Sequence, residues 1–394
     1  MKRYCKNIDI SDRTFIKASI EDCLREKYKR ADVIRMFSEY SGLSKDFLFG
    51  IANTGNYEMF NGIILTITES MRTEITNRNY VWKPIWYTWK LEGNKLRRIG
   101  IQDIKQQLYD YVAVRGLKEL FDKRIGPYQC AALPGKGQVF GMKAIRKKMR
   151  SPDLRYGWKG DGKKFYENVN RDILKNLLER YVKNESLLHL VNCLIDEFEK
   201  GLSIGSYLSQ YLANFYMSFL YRYISEKLWK ERKKKNGKVQ KVRMVKIVII
   251  YMDDIFIAGP NIKMLKTAIK LIRNFAKEKL DIIIKPTDDW IDFGKGGYLD
   301  MMGFLISKKK VIVRRAIFRR YRKSIRKAKK TGKINKLDAQ RIISRYGWMK
   351  NANCKYFLKK SRAEYITAKC KEMLGNGKNV IYIASKESKC RSIA

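Results

Sequence analysis

Apolar residues recur at helical spacing through the first 75 residues. Ile16, Ile20, Cys23 and Leu24 share one face, and Phe60, Ile63, Ile64, Ile67 and Met71 share a face of a later helix. Between 80 and 150 the pattern changes to short strand-like pieces with basic positions, as in KPIWYTWKLEGNKLRRIGI, followed by glycine turns in GPYQCAALPGKGQVFG. From about 151 to 308 strand-like and helical patterns alternate, which predicts an α+β fold. Within that stretch IVIIYMDDIFIAG, Ile247 to Gly259, sets two adjacent carboxylates in an apolar run. The simplest geometry is a β-hairpin with Met252, Asp253 and Asp254 at its tip, preceded by a solvated hairpin loop in ERKKKNGKVQKVRMVK. Beyond Lys309 the chain becomes strongly basic and helical: Ile317, Tyr321, Ile325 and Ala328 form an apolar stripe, and Arg319, Arg320, Arg322, Lys323, Arg326 and Lys327 cover the rest.

Charge narrows the function. Eighty-five Lys and Arg against 39 Asp and Glu give +46 over 394 residues, spread through nearly every segment. A folded chain this basic repels itself unless it meets a polyanion, and nucleic acid is the expected one. The length suits about two or three domains of roughly 100–200 residues, and 45% hydrophobic content is enough to bury a core. No stretch reaches the roughly 18 apolar residues of a membrane span, and no signal-peptide core or lipidation motif is present, so no membrane partner is expected. Seven scattered cysteines without a CxxC pair predict reduced thiols and a cytoplasmic setting. The single histidine, His189, lies among leucines and reads as a packing residue; one histidine excludes histidine-clustered nuclease or zinc chemistry.

Two neighbouring carboxylates are costly to desolvate unless something strongly positive sits beside them. A polymerase site supplies that charge with two divalent ions clamping a 3′-hydroxyl and a triphosphate, and it needs a third carboxylate from another strand. Asp161, in RYGWKGDGKKFYENVN, is the candidate.

These residues carry a resemblance. YMDD at Tyr251–Asp254, KGDGKKFYENV around Asp161, GLSIGSYLSQYLANFYM from Gly201, DMMGFLIS from Asp300, KLRRIGIQDIKQQ and PGKGQVFGMKAI occur in the order of the bacterial reverse transcriptases and cover about residues 80–310. The resemblance implies a right-hand polymerase: fingers and a palm whose antiparallel sheet packs on helices, plus a helical basic thumb. Its parts would be a helical N-terminal extension (1–78), fingers (79–150), palm with the catalytic carboxylates (151–308) and thumb (309–394). Asp161 and Asp253 would be the principal ligands of two Mg²⁺ ions, or of Mn²⁺ as a substitute, with Asp254 supporting and the Gly162 carbonyl able to ligate. Lys95 and Arg97 match basic fingers positions that neutralise the triphosphate. Tyr166 matches the steric gate against a ribose 2′-hydroxyl. Gly205, Ser209 and Gln210 would shape the floor under the template–nucleotide pair, and Lys285 would protonate pyrophosphate. Arg319, Arg322, Lys323 and Arg326 would follow the template–primer backbone. The implied partners are an RNA template, specifically a dedicated noncoding RNA, a DNA primer or product, dNTPs, and an accessory protein or a second copy of the chain.

Two departures stand out. Asp161 lies between Gly160 and Gly162 where the family has bulky apolar residues, so its strand is expected to lose packing. Ile204-Gly205 to Ser209-Gln210 is an IGxxxSQ form similar to phage-defence and diversity-generating-retroelement enzymes, and apolar Ile204 near the incoming sugar suggests low fidelity. The competing expectations are an error-prone enzyme of a diversity-generating retroelement, an idle palm that only binds RNA, and an RNA polymerase, which Tyr166 disfavours. Past residue 310 the only acids are Asp338, Glu364, Glu372 and Glu387, too few and too scattered for an RNase H cluster.

Overall fold

A computed structural model describes residues 2–92, 95–233, 236–287 and 289–383; Glu387 and Cys390 lie outside the described residues. Four helices open the chain: α1 (Arg13–Leu24), α2 (Ala31–Ser41), α3 (Lys45–Thr54) and α4 (Asn61–Asn77). Next come the strands β1 (Trp86–Glu92) and β2 (Lys95–Ile101), then α5 (Ile104–Gly116), α6 (Lys118–Arg124), β3 (Gln129–Cys130), α7 (Gln138–Lys148) and β4 (Tyr156–Asp161). The middle of the chain holds α8 (Phe165–Asn168), α9 (Arg171–Tyr181), α10 (Glu185–Asp196) and α11 (Tyr207–Arg222). After them come β5 (Trp229–Lys233), β6 (Val239–Arg243), β7 (Ile247–Tyr251), β8 (Asp254–Gly259), α12 (Ile262–Leu280) and β9 (Asp289–Asp292). The last part contains β10 (Leu299–Met301), β11 (Phe304–Ile306), β12 (Val311–Val313), α13 (Arg315–Thr331), β13 (Lys333–Asn335), α14 (Lys336–Lys350), α15 (Lys355–Lys360), α16 (Ala363–Gly375) and β14 (Val380–Tyr382). The mixture is α+β.

The chain divides into two compact units. The first comprises Met1–Ala132, Asp161–Trp229 and Thr267–Pro286. The helices there follow the periodicity: α1 buries Ile16, Ile20, Cys23 and Leu24, and α4 buries Ile63, Ile64, Ile67 and Met71. Asp12 and Ser44 cap α1 and α3 by accepting from the N–H of Phe15 and Phe47, each satisfying a donor the helix leaves unpaired. At the centre runs α5, which packs against α1, α10 and α11. It buries most of its surface, through Ile104, Leu108, Tyr109, Val112 and Ala113 among others, and leaves the stripe of Gln107, Tyr111 and Arg115 half-buried.

The second unit comprises Leu133–Gly160, Lys230–Lys266 and Thr287–Ala394. Its main sheet carries β7, β8, β4 and β9 side by side in that order. The pairs β7–β8 and β4–β9 are antiparallel, with Tyr251 opposite Asp254 and Tyr156 opposite Asp292. Strands β10, β11 and β12 form a separate antiparallel sheet. The expected solvated hairpin is the two-stranded β5–β6 sheet, mostly exposed along both strands. Among the described residues no helix is long and apolar enough to cross a membrane.

Candidate active site

The acidic hairpin explains itself strand by strand. Ile247 to Ile250 and Ile255 to Gly259 are all buried, while Tyr251, Met252, Asp253 and Asp254 are half-buried. Because Tyr251 pairs with Asp254, the turn is the two residues Met252 and Asp253, and Asp254 is already the first residue of β8. Met252 has φ +54 and Asp253 is not among the positive-φ residues. Only the first turn position is thus left-handed, as in II′ hairpin turns, which favour glycine there. Holding methionine in that conformation costs roughly 1–3 kcal/mol, a strain typical of functional turns. The positive group expected beside the acids is partly supplied by the chain: Lys159 Nζ of β4 lies 3.2 Å from Asp254 Oδ1.

Asp161 closes β4. Its Oδ2 accepts from Lys285 Nζ at 2.5 Å. The backbone brings the two together: Lys285 N–H donates to Asp161 O at 3.0 Å, Lys163 N–H donates to Ile283 O at 2.8 Å, and Gly162 bridges Ile284. The expected loss of packing around Asp161 is corrected here. A Cβ on Gly160 would come within 2.1 Å of the Trp158 ring, and Trp158 is fully buried. Residues two apart share a strand face, so the indole fills the space a bulky residue 160 would take, and glycine is what lets it do so.

In the first unit the other candidate positions hang on one loop. Leu202 N–H donates to Tyr166 O at 2.8 Å, and Gly201, at φ +54, passes so close that a Cβ would meet that oxygen at 2.3 Å. Gly205 has φ +120, and a Cβ on it would sit 2.4 Å from Gly100 O. Gly100 N–H donates to Ile204 O at 2.9 Å, so β2 lies directly on this loop. Ser206 then caps α11 by accepting from Ser209 N–H. Ser209 is fully buried, and its hydroxyl finds no partner among the described residues. Gln210 is half-buried on the first turn of α11, and its carbonyl accepts from Asn214 Nδ2.

Lys95 and Arg97 lie exposed on β2, and strand alternation puts them on one face with Arg98 on the other. Arg98 forms a two-pronged pair with Glu199 at 2.9 and 2.6 Å and covers the Tyr87 ring. The adjacent arginines therefore lie on opposite faces of β2. Asp110, Lys159, Arg98 and Glu199 were not singled out from the sequence. Lys159 was visible as the first residue of K-x-D, and Asp110 as an acid inside an otherwise buried helix; Arg98–Glu199 spans 101 residues and leaves no local signal.

In the second unit α13 buries Tyr321, Ile325 and Ala328 and exposes Arg319, Arg322, Lys323 and Arg326. The β10–β11 turn, Met302 and Gly303, has φ +54 and +80, the I′ geometry of tight hairpins. Gly303 lies against Trp348 of α14, where a Cβ would meet the indole at 2.1 Å. His189 is half-buried, 3.7 Å from Cys193 Sγ. No disulfide joins Cys5, Cys23, Cys130, Cys193, Cys354 or Cys370 among the described residues.

The donor chemistry fits a hard divalent ion. Mg²⁺ takes carboxylate oxygens and fills its other positions with water and substrate phosphate. Asp161 and Asp254 each hold a lysine ammonium where such a cation would bind. No cluster of three or more His, Cys, Asp or Glu occurs among the described residues, so ions here would depend on phosphate and water for much of their coordination.

No curated protein matches this chain. A family model described as reverse transcriptase (RNA-dependent DNA polymerase) matches residues 90–287. That span takes in β2, the Asp161 strand, the Gly205 loop and the Asp253–Asp254 hairpin, and it is just over half of the 394 residues. The chain belongs to the reverse transcriptase family.

Proposed function

We propose that the chain is an RNA-directed DNA polymerase of a bacterial or phage element, copying a dedicated noncoding RNA in antiphage defence and working in the cytoplasm. The observation that carries the polymerase chemistry is the strained Met252–Asp253 turn, which sets Asp253 and the adjoining Asp254 at the half-buried end of an otherwise buried hairpin. In this reading Asp161 and Asp253, with Asp254 and the Gly162 carbonyl, hold two Mg²⁺ ions, with Mn²⁺ able to replace them. Those ions supply Lewis-acid activation of the primer 3′-hydroxyl and neutralise the triphosphate.

The chain's own groups do the rest. Lys95 and Arg97 bind the triphosphate from the exposed face of β2. Tyr166 crowds the 2′-hydroxyl and selects dNTPs. Gly205 and Gln210 shape the surface under the template–nucleotide pair. Lys285, already on Asp161 Oδ2, gives a proton from Nζ to departing pyrophosphate. Arg319, Arg322, Lys323 and Arg326 follow the template–primer backbone. Residues 79–150, 151–308 and 309–394 then act as fingers, palm and thumb, and 1–78 as an extension.

The test is to purify the chain with the RNA it retains and add Mg²⁺ with labelled dNTPs or NTPs, beside an Asp253→Ala/Asp254→Ala control. DNA made only by the intact protein supports the proposal, and its sequence names the template and reveals any mutagenic pattern. Tightly held RNA with no incorporation would sink it in favour of an idle RNA-binding palm.

A further inference from the structure

One groove in the second unit combines aromatic rings and cations. It has a volume of about 420 Å³ and is lined by residues of α13 and α15. Phe318, Tyr356 and Phe357 supply its rings, and Arg322, Arg326, Lys329 and Lys360 supply its charge. Among the described residues no carboxylate lines it. Phe318 and Phe357 meet edge to face at 4.9 Å and 63°, an arrangement that aromatic pairs favour. Tyr356 stands out from α15 with 77% of its surface exposed, and its hydroxyl accepts from Lys360 Nζ at 3.3 Å. Along α13 the positions Phe318, Arg322, Arg326 and Lys329 fall on one face at helical spacing. Lys327 of the same helix pairs with Asp338 at 2.8 Å and does not line the groove.

Cations without acids call for an anion, and an exposed ring beside them calls for a flat partner. An unpaired nucleotide offers both: its base stacks on an aromatic side chain while its phosphates meet Arg and Lys. A base inside a duplex is already stacked on its neighbours and offers this groove its backbone alone. Residues 384–394 carry three basic side chains against one acid, so they repeat the groove's sign and do not complement it. The family's template is RNA, and unpaired RNA bases are the ones that proteins stack on aromatic rings. We propose that the α13–α15 groove binds an unpaired nucleotide of an RNA strand, stacked on Tyr356, beside the duplex whose backbone Arg322 and Arg326 follow. This rests on the nucleic-acid reading of α13 and adds base capture to it.

Fluorescence anisotropy of a labelled RNA duplex, blunt or with a short unpaired end, tests this on the full chain across a salt series. No metal ion or dNTP is added, so the result is independent of polymerase chemistry, whose failure would show in DNA synthesis instead. Stacking of one base contributes roughly 5- to 150-fold in affinity. The overhanging RNA is therefore expected to bind at least about fivefold tighter than the blunt duplex. Tyr356→Ala should abolish that preference and leave the salt slope, the blunt-duplex affinity and the melting temperature unchanged. Tyr356→Phe keeps the ring and should keep the preference. Lys360→Gln should instead flatten the salt slope on the overhanging RNA by about 0.7, one single-strand phosphate contact. Equal loss on blunt and overhanging RNA after Tyr356→Ala, no loss at all, or a preference seen only with a DNA overhang overturns the proposal.

Discussion

Asp110 Oδ2 accepts a hydrogen bond from Ser206 Oγ at 2.8 Å where both side chains are fully buried. The same oxygen accepts from Leu208 N–H at 3.2 Å, and Gln102 Nε2 donates to Oδ1 at 3.3 Å. One carboxylate thus ties α5 to the start of α11, the helix whose first turn carries Ser209 and Gln210. Burial pushes this carboxyl up to about 6 against the pull of those hydrogen bonds. Its folded value lies above the ordinary value of about 3.9, so its contribution to stability is fully present below that value and is lost as pH rises through about 6. Asp110→Asn removes this dependence. The wild-type melting temperature, measured relative to that variant, should rise as pH falls from about 7 to about 4, by the equivalent of roughly 2–3 kcal/mol. A flat difference across that window would show that Asp110 is not held as described. Asp110→Ala leaves Ser206 and Leu208 donors buried without acceptor, at about 1–3 kcal/mol each.

Glycine positions give a contrast within one protein. Gly205→Ala places a methyl 2.4 Å from Gly100 O at φ +120, which should cost about 1–3 kcal/mol or more. Faster proteolysis of the β1–β2 hairpin should accompany the lower melting temperature. Gly50→Ala, within α3 with nothing near its Cβ, should instead stabilise by about 0.5–1 kcal/mol. Equal effects at the two sites would contradict the close approach of β2 to the Ile204–Ser206 loop.

The Trp158–Gly160 pair calls for a double-mutant cycle. Gly160→Val alone should be strongly destabilising because the indole occupies the space, and Trp158→Ala alone should leave a cavity costing about 3–5 kcal/mol. Combined, they should cost less than the sum, with a coupling of about 0.5–3 kcal/mol. Additivity, read by denaturant unfolding, would separate the two residues.

Lys285 holds Asp161 Oδ2, the oxygen proposed to bind metal. Lys285→Gln should lower the rate of dNTP incorporation by on the order of 10²-fold, the scale of a lost general acid. The Mg²⁺ concentration needed for half-maximal rate should fall, because the ammonium no longer competes for the carboxylate. An unchanged rate would remove the proton role, and an unchanged Mg²⁺ requirement would remove the competition.

Four exposed cations on α13 set the last expectation. Each phosphate contact contributes about −0.9 to the slope of log affinity against log salt on duplex. Replacing Arg319, Arg322, Lys323 and Arg326 with alanine should flatten that slope by roughly 3.6 units if each meets one phosphate. Filter binding across a salt series reads it directly; a slope unmoved by the four changes would place the nucleic acid elsewhere.

Several elements were legible in the linear chain. Helices α1, α4 and α13 declare themselves through one buried stripe at 3.6-residue spacing, and the β7–β8 hairpin through two β-branched runs around a short acidic break, because these are local consequences of burying one face. Asp161 at a strand end could be read for the same reason. The contacts that govern the site could not. Lys285–Asp161 joins residues 124 apart and Asp110–Ser206 joins residues 96 apart, and nothing in local pattern encodes which distant lysine or serine a carboxylate will meet. The glycines flanking Asp161 suggested lost packing, since composition registers a missing side chain and not the neighbour that fills its place. Trp158 does so only once β4 is in its sheet. Which apolar side chains α2, α3 and α4 leave uncovered, Phe47, Met59 and Leu65 among them, was not legible either. That is decided by helix packing, where each buried face is chosen by its partners.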